Sequence, residues 1–597
     1  MFLRAKTRTK DGKTHRYWSI VENRRLPGGR VVQRQALYLG ELNDGQRASW
    51  VRTIEVIERK GQARQMALFA SDGRPAPELS CEAVRVRLDK IQLLNPRQWG
   101  ACWLALYLWN LLDLDRFWAP RLPPGRKATR WLNVLKALTC YRLIDPGSEW
   151  RFHREWFLKS AMADLLGEDF ALAQKDKPYR CLDRVTAHRD DLFSFLQERW
   201  GRLFGAKFDV LLYDLTSTYF ESDPPPPDSR SKKRFGYSRD HRSDCVQMVL
   251  ALVVTPEGFP LAYEIYPGNT RDTATLEAFV ERIEQRYGKA RRIWLMNRGV
   301  PTEDTLKKMR ERGNDYLVGT PKGRRTELEK DLRARPWIEA REGVRVKGLE
   351  RGGELYVYVE SRDRVAKERS MRRRRLKRLW ARLKELRARK RLTRDDLLMD
   401  LGAAKKDAGR AYGLVMIHLP AHDEPVNETT FRFELNRKKL RLAIRREGRY
   451  LLRSTLRAHP PEVLWEAYLQ LARIEQAFKD LKGDLAVRPI WHQKDARIEA
   501  HIFVCFLAYC LHVALRNLAR GQAAGLTSQA ILDKMSTIQM IDVHLPAEDG
   551  RRFILPRYTQ PEKDAAALLA QLGLTLPQQP APRLLEPLSP NRVVPTF

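Results

Sequence analysis

The chain has 597 residues, 43% of them hydrophobic, which is enough for several domains that each bury a core. Its 110 Lys and Arg against 74 Asp and Glu give a formal charge of +36. That excess excludes a balanced globular surface, because it would repel itself without a polyanionic partner; nucleic acid is the first candidate and an anionic membrane surface the second.

The first part of the chain divides into a basic region and a helical region. Residues 1–70 carry short alternating runs broken by Pro-Gly-Gly at 27–29, which predicts small β-hairpins followed by a helix over 44–68. Composition makes 71–80 a linker. Apolar spacing at three and four predicts helices through 81–205, a region for DNA binding or dimerisation.

Alternating strands and helices begin at residue 206. Three strands that can form hairpins come first, and a helix, a strand, a second helix and a last strand follow. The predicted elements are strands over 208–221, 245–255 and 258–266, a helix over 270–288, a strand over 291–297, a helix over 302–313 and a strand over 315–321. This is the element order of a ribonuclease H-like domain, a mixed sheet with helices packed on it.

A polar, basic segment over 322–460 interrupts this core with further strand candidates and a basic helix near 371–391. A long helix pattern over 461–482 and another over 495–520 then return to the core. The Pro-rich end from about Leu576 is expected to be loose. The predicted divisions are 1–70, 81–205, 206–321, 322–460, 461–535 and 536–597. The fold class is therefore α/β, with an interrupted ribonuclease H-like core, a hairpin-containing N-terminal region and a helical region.

Two strand ends offer polar side chains. Asp214 follows the apolar run LLY, and on a strand it shares one face with Thr216 and Thr218. The run RRIWLM ends on Asn297. A strand-end Asp commonly just begins a turn, but the first and fourth strands of a ribonuclease H-like sheet are neighbours, so these two ends could share a site.

A helix supplies the third candidate. Tyr468, Glu475 and Lys482 are spaced by seven, which places them on one stripe with Leu471 and Phe478. The ordinary alternative is an amphipathic face with snorkelling charges. In such a stripe Glu475 would be partly buried, which is costly unless a metal or a cation compensates.

Several ordered motifs in this chain resemble one family. YDLTSTYFE, GYSRDHRSDCVQMVLALVVTPEGFPLAYEIYPGNTRD, WLMNRGV and YLQLARIEQAFKDLK followed by RPIWH are similar to the DDE transposases of bacterial insertion sequences, in the branch with a β-rich insertion. The resemblance covers roughly 200–520, and the N-terminal segment more loosely. It implies binding of terminal inverted repeats, cleavage at the element ends and joining of the 3′ hydroxyl to target DNA.

The resemblance also assigns the site. It implies catalytic and metal-binding roles for Asp214, Asn297 and Glu475, with two Mg²⁺ ions per active site, Mn²⁺ being an alternative, and DNA contacts from Tyr468 and Lys482. Two positions depart from the family pattern. Leu471 stands where the signature has Arg, and the nearest replacement is Arg473. Asn297 stands where the family has its second Asp; the possible substitutes, Glu303 and Asp304, lie on the next helix.

The substitution at position 297 matters because the bridging position between two metals needs charge. An Asn keeps a carbonyl oxygen but loses the negative charge that hard Mg²⁺ prefers. We therefore expect a protein that binds DNA yet cuts it poorly.

Clusters of cations are the expected phosphate contacts. They are Lys232, Lys233, Arg234, Arg239 and Arg242 after the first catalytic strand, and Arg372, Arg373, Arg374 and Arg375 on the basic helix. The same helix carries an apolar stripe of Leu376, Leu379, Trp380, Leu383 and Leu386. We expect double-stranded DNA, both transposon ends and target, as the partner, a homodimer on paired ends, and the first 70 residues as the reader of the ends.

Two other functions remain open. A non-catalytic, sequence-specific DNA-binding relic of a transposase is favoured by Asn297, and a basic ribonuclease of the same fold is the weaker alternative.

The seven scattered cysteines, without a CxxC pair, argue against a disulfide framework or a zinc ribbon. The N-terminus lacks a signal-peptide pattern, and the apolar run 502–515 is too short to span a bilayer. We expect a cytoplasmic, nucleoid-associated bacterial protein without a membrane partner.

Overall fold

The structure is a computed structural model that describes most of the chain. The described residues are 2–10, 13–25, 31–40, 42 and 85–585, with short gaps at 126–128, 175, 227–228, 241, 272–274, 288–291, 298, 321–326, 329–330, 333, 390–391, 423 and 524. The predicted helix over 44–68 and the predicted linker 71–80 lie outside them. The chain forms two compact units, unit 1 with 1–7, 16–290 and 472–597, and unit 2 with 8–15 and 291–471.

The described residues contain strands β1 to β18 and, among helices of at least eight residues, α1 to α14. The strands are β1 Phe2–Lys10, β2 Lys13–Arg25, β3 Val31–Gly40, β4 Gln92–Gln98, β5 Val210–Phe220, β6 Val246–Val254, β7 Pro260–Pro267, β8 Ile293–Met296, β9 Asp315–Gly319, β10 Ile338–Arg341, β11 Val344–Arg351, β12 Glu354–Ser361, β13 Val415–His418, β14 Arg432–Leu435, β15 Arg449–Ser454, β16 Gln539–Pro546, β17 Arg552–Tyr558 and β18 Arg583–Leu585. The helices are α1 Gly100–Leu111, α2 Trp131–Ile144, α3 Lys177–Val185, α4 Arg189–Phe204, α5 Leu276–Tyr287, α6 Glu303–Glu311, α7 Arg362–Ala388, α8 Arg394–Ala408, α9 Arg437–Arg446, α10 Pro461–Leu469, α11 Ala472–Lys482, α12 Asp495–Gln522, α13 Ser528–Met535 and α14 Lys563–Gln571.

Unit 1 contains an antiparallel meander of β5, β6 and β7. β5 pairs with β6 along its length, with Asp214 opposite Leu252, and β6 pairs with β7. Every residue of β6 is buried, so both faces of this strand are covered, as its continuous apolar run predicts. Two further sheets have the orders β1-β2-β3 and β4-β16-β17-β18.

A long apolar helix forms the centre of unit 1. α12 packs against α1, α2, α3 and α11, and almost all of its residues from Ile498 to Leu515 are buried. By length and composition α12 could cross a membrane, but 94% of its most apolar window is buried inside the protein. The six cysteines that the structure describes are free and buried.

Six strands of unit 2 pair in the order β10-β11-β12-β15-β9-β8, and two more, β13 and β14, pair with each other. β8 and β9 are parallel, whereas the other neighbouring pairs are antiparallel, so this is a mixed sheet. The fold is therefore mixed α/β with a large mixed sheet. The predicted strands and helices between 208 and 321 are confirmed by β5 to β9, α5 and α6.

The basic helix α7 packs into an apolar cluster of unit 2. Leu379, Leu383 and Leu386 are buried in this cluster together with α8, and Leu376 and Trp380 pack against it. The predicted apolar stripe of this helix is therefore confirmed.

The end of the described chain is held in place, and the expectation of a loose tail from Leu576 is wrong for residues 577–585. β18 pairs with β17, and the Gln579 side chain forms two hydrogen bonds with the Tyr558 backbone, of 3.0 and 2.9 Å. Arg557 also donates to the carbonyl of Pro580 at 2.7 Å. Proline content misled the prediction because these contacts use side chains and carbonyl groups, which proline leaves available.

Candidate active site

Asp214 lies in the middle of β5 rather than at its end. The strand continues to Phe220, so the expectation that Asp214 ends the strand is wrong. Thr216 and Thr218 are buried, whereas Asp214 is only partly buried. β5 thus presents one accessible carboxylate within an otherwise buried stretch.

Glu475 lies in the first turn of α11, which packs against β5 and β6 within unit 1. Ile474, Ala477 and Phe478 form part of the buried face, and Glu475 itself is exposed. The expectation of partial burial is therefore wrong. The first turn of a helix favours a negative charge, because the unpaired N–H groups there carry partial positive charge. Glu475 therefore lies at the N-terminal end of a helix that contacts the strand of Asp214.

The helix predicted over 461–482 is two helices. α10 ends at Leu469 and α11 begins at Ala472, and the Leu471 N–H turns back to the carbonyl of Tyr468 at 3.1 Å. Tyr468, Glu475 and Lys482 therefore do not form one stripe of a single helix. No glycine or proline marks this break, which is why the seven-residue spacing concealed it. In unit 2, the half-buried Tyr468 ring lies 6.4 Å from the ring of Tyr450.

Lys482 ends α11 in an ion pair that sequence reasoning missed. Its ammonium lies 3.0 and 3.2 Å from the two carboxylate oxygens of Asp240, and Arg488 binds the same carboxylate. Burial lowers the pKa of Lys482, and the neighbouring Asp240 opposes that effect. Asp240 belongs to the loop between β5 and β6, so this pair joins that loop to the helix of Glu475.

Most cations predicted to meet phosphates in this loop are engaged within the protein. Lys232 bonds to Glu499 at 2.6 Å, and Lys233, only 4% exposed, bonds to Gln493 at 3.1 Å. Arg234 binds the carbonyl of Ser229, and Arg242 pairs with Glu221 and Asp244. The backbone N–H of Arg239 also donates to Ser217 Oγ at 3.3 Å. These contacts fix the loop, and the burial of Lys233 gives it a structural role in this state.

Positive charge is more open near the start of α11. Arg473 is exposed. Burial lowers the pKa of Arg520, and the charges of Arg473 and Arg516 lower it further. Arg473 and Arg520 thus lie in one region of unit 1 with Arg516, whose guanidinium pairs with Asp480 at 3.2 Å.

In unit 2, Asn297 directly follows β8 and is partly buried, and its carbonyl accepts the Val300 N–H at 3.2 Å. Glu303 and Asp304 are the possible substitutes for the second acid. Arg453 donates to both carboxylate oxygens of Glu303, at 2.7 and 2.8 Å, so this carboxylate is already engaged in an ion pair. Asp304 is exposed in the first turn of α6.

The basic helix α7 of unit 2 exposes Arg373, Arg374 and Arg375. Arg372 differs, because it is mostly buried and bonds to the buried Glu447 at 2.5 Å. Three of the four predicted phosphate contacts on this helix are therefore accessible.

Two clusters of potential metal ligands occur among the described residues, each with ligand atoms within 4.8 Å of one another. One is Asp480, Asp484 and His512, in which Arg516 lies 3.2 Å from Asp480. The other is Glu149, His492 and His501, in which Arg142 lies 3.4 Å from His501 Nδ1 and 3.8 Å from Glu149. An arginine thus already supplies a cation to each cluster.

Burial and the neighbouring charges shift the pKa values of two members of the second cluster. Burial raises the pKa of Glu149, but His492 and His501 outweigh it and hold the pKa well below the ordinary range. Burial and Arg142 lower the pKa of His501 to about 4, against the pull of Glu149. His492 ends the RPIWH motif, but no signal in the sequence indicated Glu149 or Arg142 as its neighbours.

The comparisons with known proteins give the family. The profile of the transposase DDE domain matches residues 206–511, about half of the chain, and that of the IS1634 family transposase N-terminal domain matches residues 3–68. A search of curated proteins finds no significant match.

The solved structures that are similar to this chain include two transposase complexes. One is a piggyBac transposase synaptic complex with hairpin DNA, which is 9% identical in sequence. The alignment covers 74% of this chain and 82% of the piggyBac chain, with a TM-score of 0.32. A pre-cleavage Mos1 transpososome is 10% identical, covers 36% of this chain and 76% of its own, and has a TM-score of 0.13. The two family profiles match residues 3–68 and 206–511. Because of these two matches, the chain belongs to the DDE transposases of bacterial insertion sequences.

Proposed function

We propose that this transposase binds the terminal inverted repeats of its insertion sequence, cleaves DNA at the element ends and joins the freed 3′ hydroxyl to target DNA. The observation that supports this most is the packing of α11, which carries Glu475, against β5, which carries Asp214. Two carboxylates on packed elements of the matched DDE domain suit phosphoryl transfer. We also propose that the core is ribonuclease H-like, with 322–460 as its insertion.

The donor chemistry of the proposed site fits divalent ions. Asp214 and Glu475 offer carboxylate oxygens, which Mg²⁺ prefers, and Asn297 offers a neutral amide oxygen. Two Mg²⁺ ions, or Mn²⁺ in their place, would activate the attacking oxygen and stabilise the leaving oxygen. Because Asn297 lacks the charge of the family's Asp, we propose that cleavage is impaired while DNA binding persists.

The remaining residues bind and position DNA in this proposal. Arg473 and Lys482 lie on the helix of Glu475 and would hold backbone phosphates beside the cleaved bond, with Tyr468 as a further contact. The exposed Arg373 to Arg375 would bind phosphates farther away. Two ends must be joined to one target, so we propose a homodimer on paired ends with two-fold symmetry, acting in the bacterial cytoplasm.

The second candidate function is a DNA-binding relic that keeps the ends without cutting them. Asn297 is the observation that favours it, because it removes one of the three acidic positions of the family.

A single experiment separates the two candidates. Binding and cleavage of duplexes that carry the element's own ends are measured in Mg²⁺ for the parent, Asp214→Asn, Glu475→Gln and the control Glu466→Gln, an exposed residue of α10. We expect equal binding in all four, and a slow cleavage by the parent that only the two site variants lose. Binding without any cleavage by the parent would favour the relic.

A further inference from the structure

Two aromatic side chains are exposed in the loop between β5 and β6. Phe235 is 53% exposed and Tyr237 is 82% exposed, which is the highest value among the exposed large hydrophobic residues that the structure describes. They lie on either side of Gly236 in the GYSRDH motif region. Neither contributes to the core of unit 1, so packing does not explain them.

The backbone beneath these side chains is fixed by close contacts. Arg234 and Gln247 exchange backbone hydrogen bonds of 3.1 and 2.9 Å, and the buried Gln247 side chain donates to the carbonyls of Tyr237 and Gly268, both at 3.0 Å. A Cβ on Gly236 would lie 2.1 Å from the Gly268 carbonyl oxygen, so no side chain fits there. The two rings therefore project from a rigid support, which lowers the entropy cost of binding a ligand.

The same loop is tied to both elements of the proposed active site. The backbone N–H of Arg239 donates to Ser217 Oγ on β5, three residues after Asp214, and Asp240 binds Lys482 on the helix of Glu475. Tyr237 is only three residues from Asp240. The rings therefore lie on a loop that contacts the strand and the helix from which the two carboxylates extend.

We propose that Phe235 and Tyr237 form a stacking platform for an unpaired nucleobase of the DNA end being processed; this rests on the proposed function. Exposed aromatic rings among cations are the feature by which proteins hold unpaired bases, because every base has a π-face and its phosphates need positive charge. Two cations of the same loop are partly accessible: the Lys232 side chain pairs with Glu499 but is 33% exposed, and Arg239 is half-buried. Two rings are far too small for a protein interface, which buries at least about 1,200 Å² in total.

The test compares two versions of one DNA end bound by the full-length protein without divalent ions. One duplex is fully paired, and the other has two unpaired nucleotides at the cleavage position. The variants are Phe235→Ser/Tyr237→Ser, the ring-preserving Phe235→Tyr/Tyr237→Phe, and Leu88→Ala, which removes an apolar side chain that is 76% exposed elsewhere. Oligomeric mass is measured for each protein.

We expect the parent to prefer the unpaired end by about tenfold, in the range for one stacked base. The double Ser variant should lose that preference and keep its affinity for the paired end, whereas the ring-preserving variant and Leu88→Ala should behave like the parent. A parent without the preference, or a double Ser variant that retains it, would overturn the platform. A changed oligomeric mass in the double Ser variant would also overturn it, in favour of a protein contact. Failure of the parent to bind either end would instead overturn the proposed function itself.

Discussion

The ammonium of Lys482 lies 3.0 Å from Asp240 Oδ1, so the last lysine of the helix that carries Glu475 is paired with an acid from the loop that follows the strand of Asp214. Arg488 binds the same carboxylate. The single negative charge of Asp240 is thus shared between two cations beside the proposed active site. A DNA phosphate that approached them would compete with Asp240.

Asp240→Asn should release both cations. We expect tighter DNA binding and a dependence of log affinity on log salt that is steeper by about 1 to 2, because each additional phosphate contact adds about 0.9 to the slope. A salt titration of binding to end DNA measures this. Asp244→Asn is the control, since Arg242 keeps Glu221 as a partner. An unchanged slope in Asp240→Asn would show that Lys482 and Arg488 do not reach phosphates.

Arg373, Arg374 and Arg375 should contribute to binding through charge alone. Changing all three to Gln should lower the salt slope by about 2 to 3, with a uniform loss of affinity for specific and unrelated DNA. The matched control is Arg372→Gln on the same helix, whose side chain bonds to the buried Glu447. That control should lower the melting temperature and leave the slope nearly unchanged; the reverse pattern would contradict the assignment.

His501 should make the protein less stable as the pH falls. It stays neutral in the folded protein down to a pKa of about 4, whereas the unfolded chain takes up a proton near the ordinary value of 6.5. Unfolding therefore binds a proton between these values, and stability falls by up to about 3 kcal/mol as pH drops from 6.5 to 4.

The measurement for His501 is the melting temperature at pH 7 and pH 5. His501→Asn, which cannot titrate, should lose less of its melting temperature between the two pH values than the parent. Equal losses in the two proteins would mean that His501 is not the group responsible.

The sequence predicted the core strands well but not the contacts between distant segments. β5 to β9 were predictable because buried strands leave an apolar pattern, and the stripe of α7 because a buried helix face leaves a period. The break at Leu471 has no glycine or proline to announce it, so Glu475 was expected to be more buried than it is. Asp240 lies 242 residues from Lys482 along the chain, and no local pattern encodes such a pair.

Gln579 should stabilise the end of the described chain. Gln579→Ala removes two hydrogen bonds to the Tyr558 backbone and should cost about 1 to 3 kcal/mol of folding free energy. Denaturant unfolding measures the loss. Gln529→Ala, which removes one exposed hydrogen bond to Asp533, should change stability little. Equal stability of Gln579→Ala and the parent would mean that these contacts do not stabilise the fold.

The substitution at position 297 tests the central claim that this is a two-metal transposase weakened at one ligand. Asn297→Asp adds one negative charge with almost no change in shape, so affinity for end DNA should stay nearly constant.

The decisive measurement is the rate of end cleavage in Mg²⁺ by Asn297→Asp and by the parent. We expect an increase of about 10²-fold or more, since a restored metal ligand contributes several kcal/mol and each 1.36 kcal/mol is tenfold in rate. Adding Asp214→Ala or Glu475→Ala should abolish the gain. If the parent cuts well and Asn297→Asp leaves the rate unchanged, Asn297 is not a metal ligand, and Asp304 becomes the candidate for the second acid, because the Glu303 carboxylate is paired with Arg453.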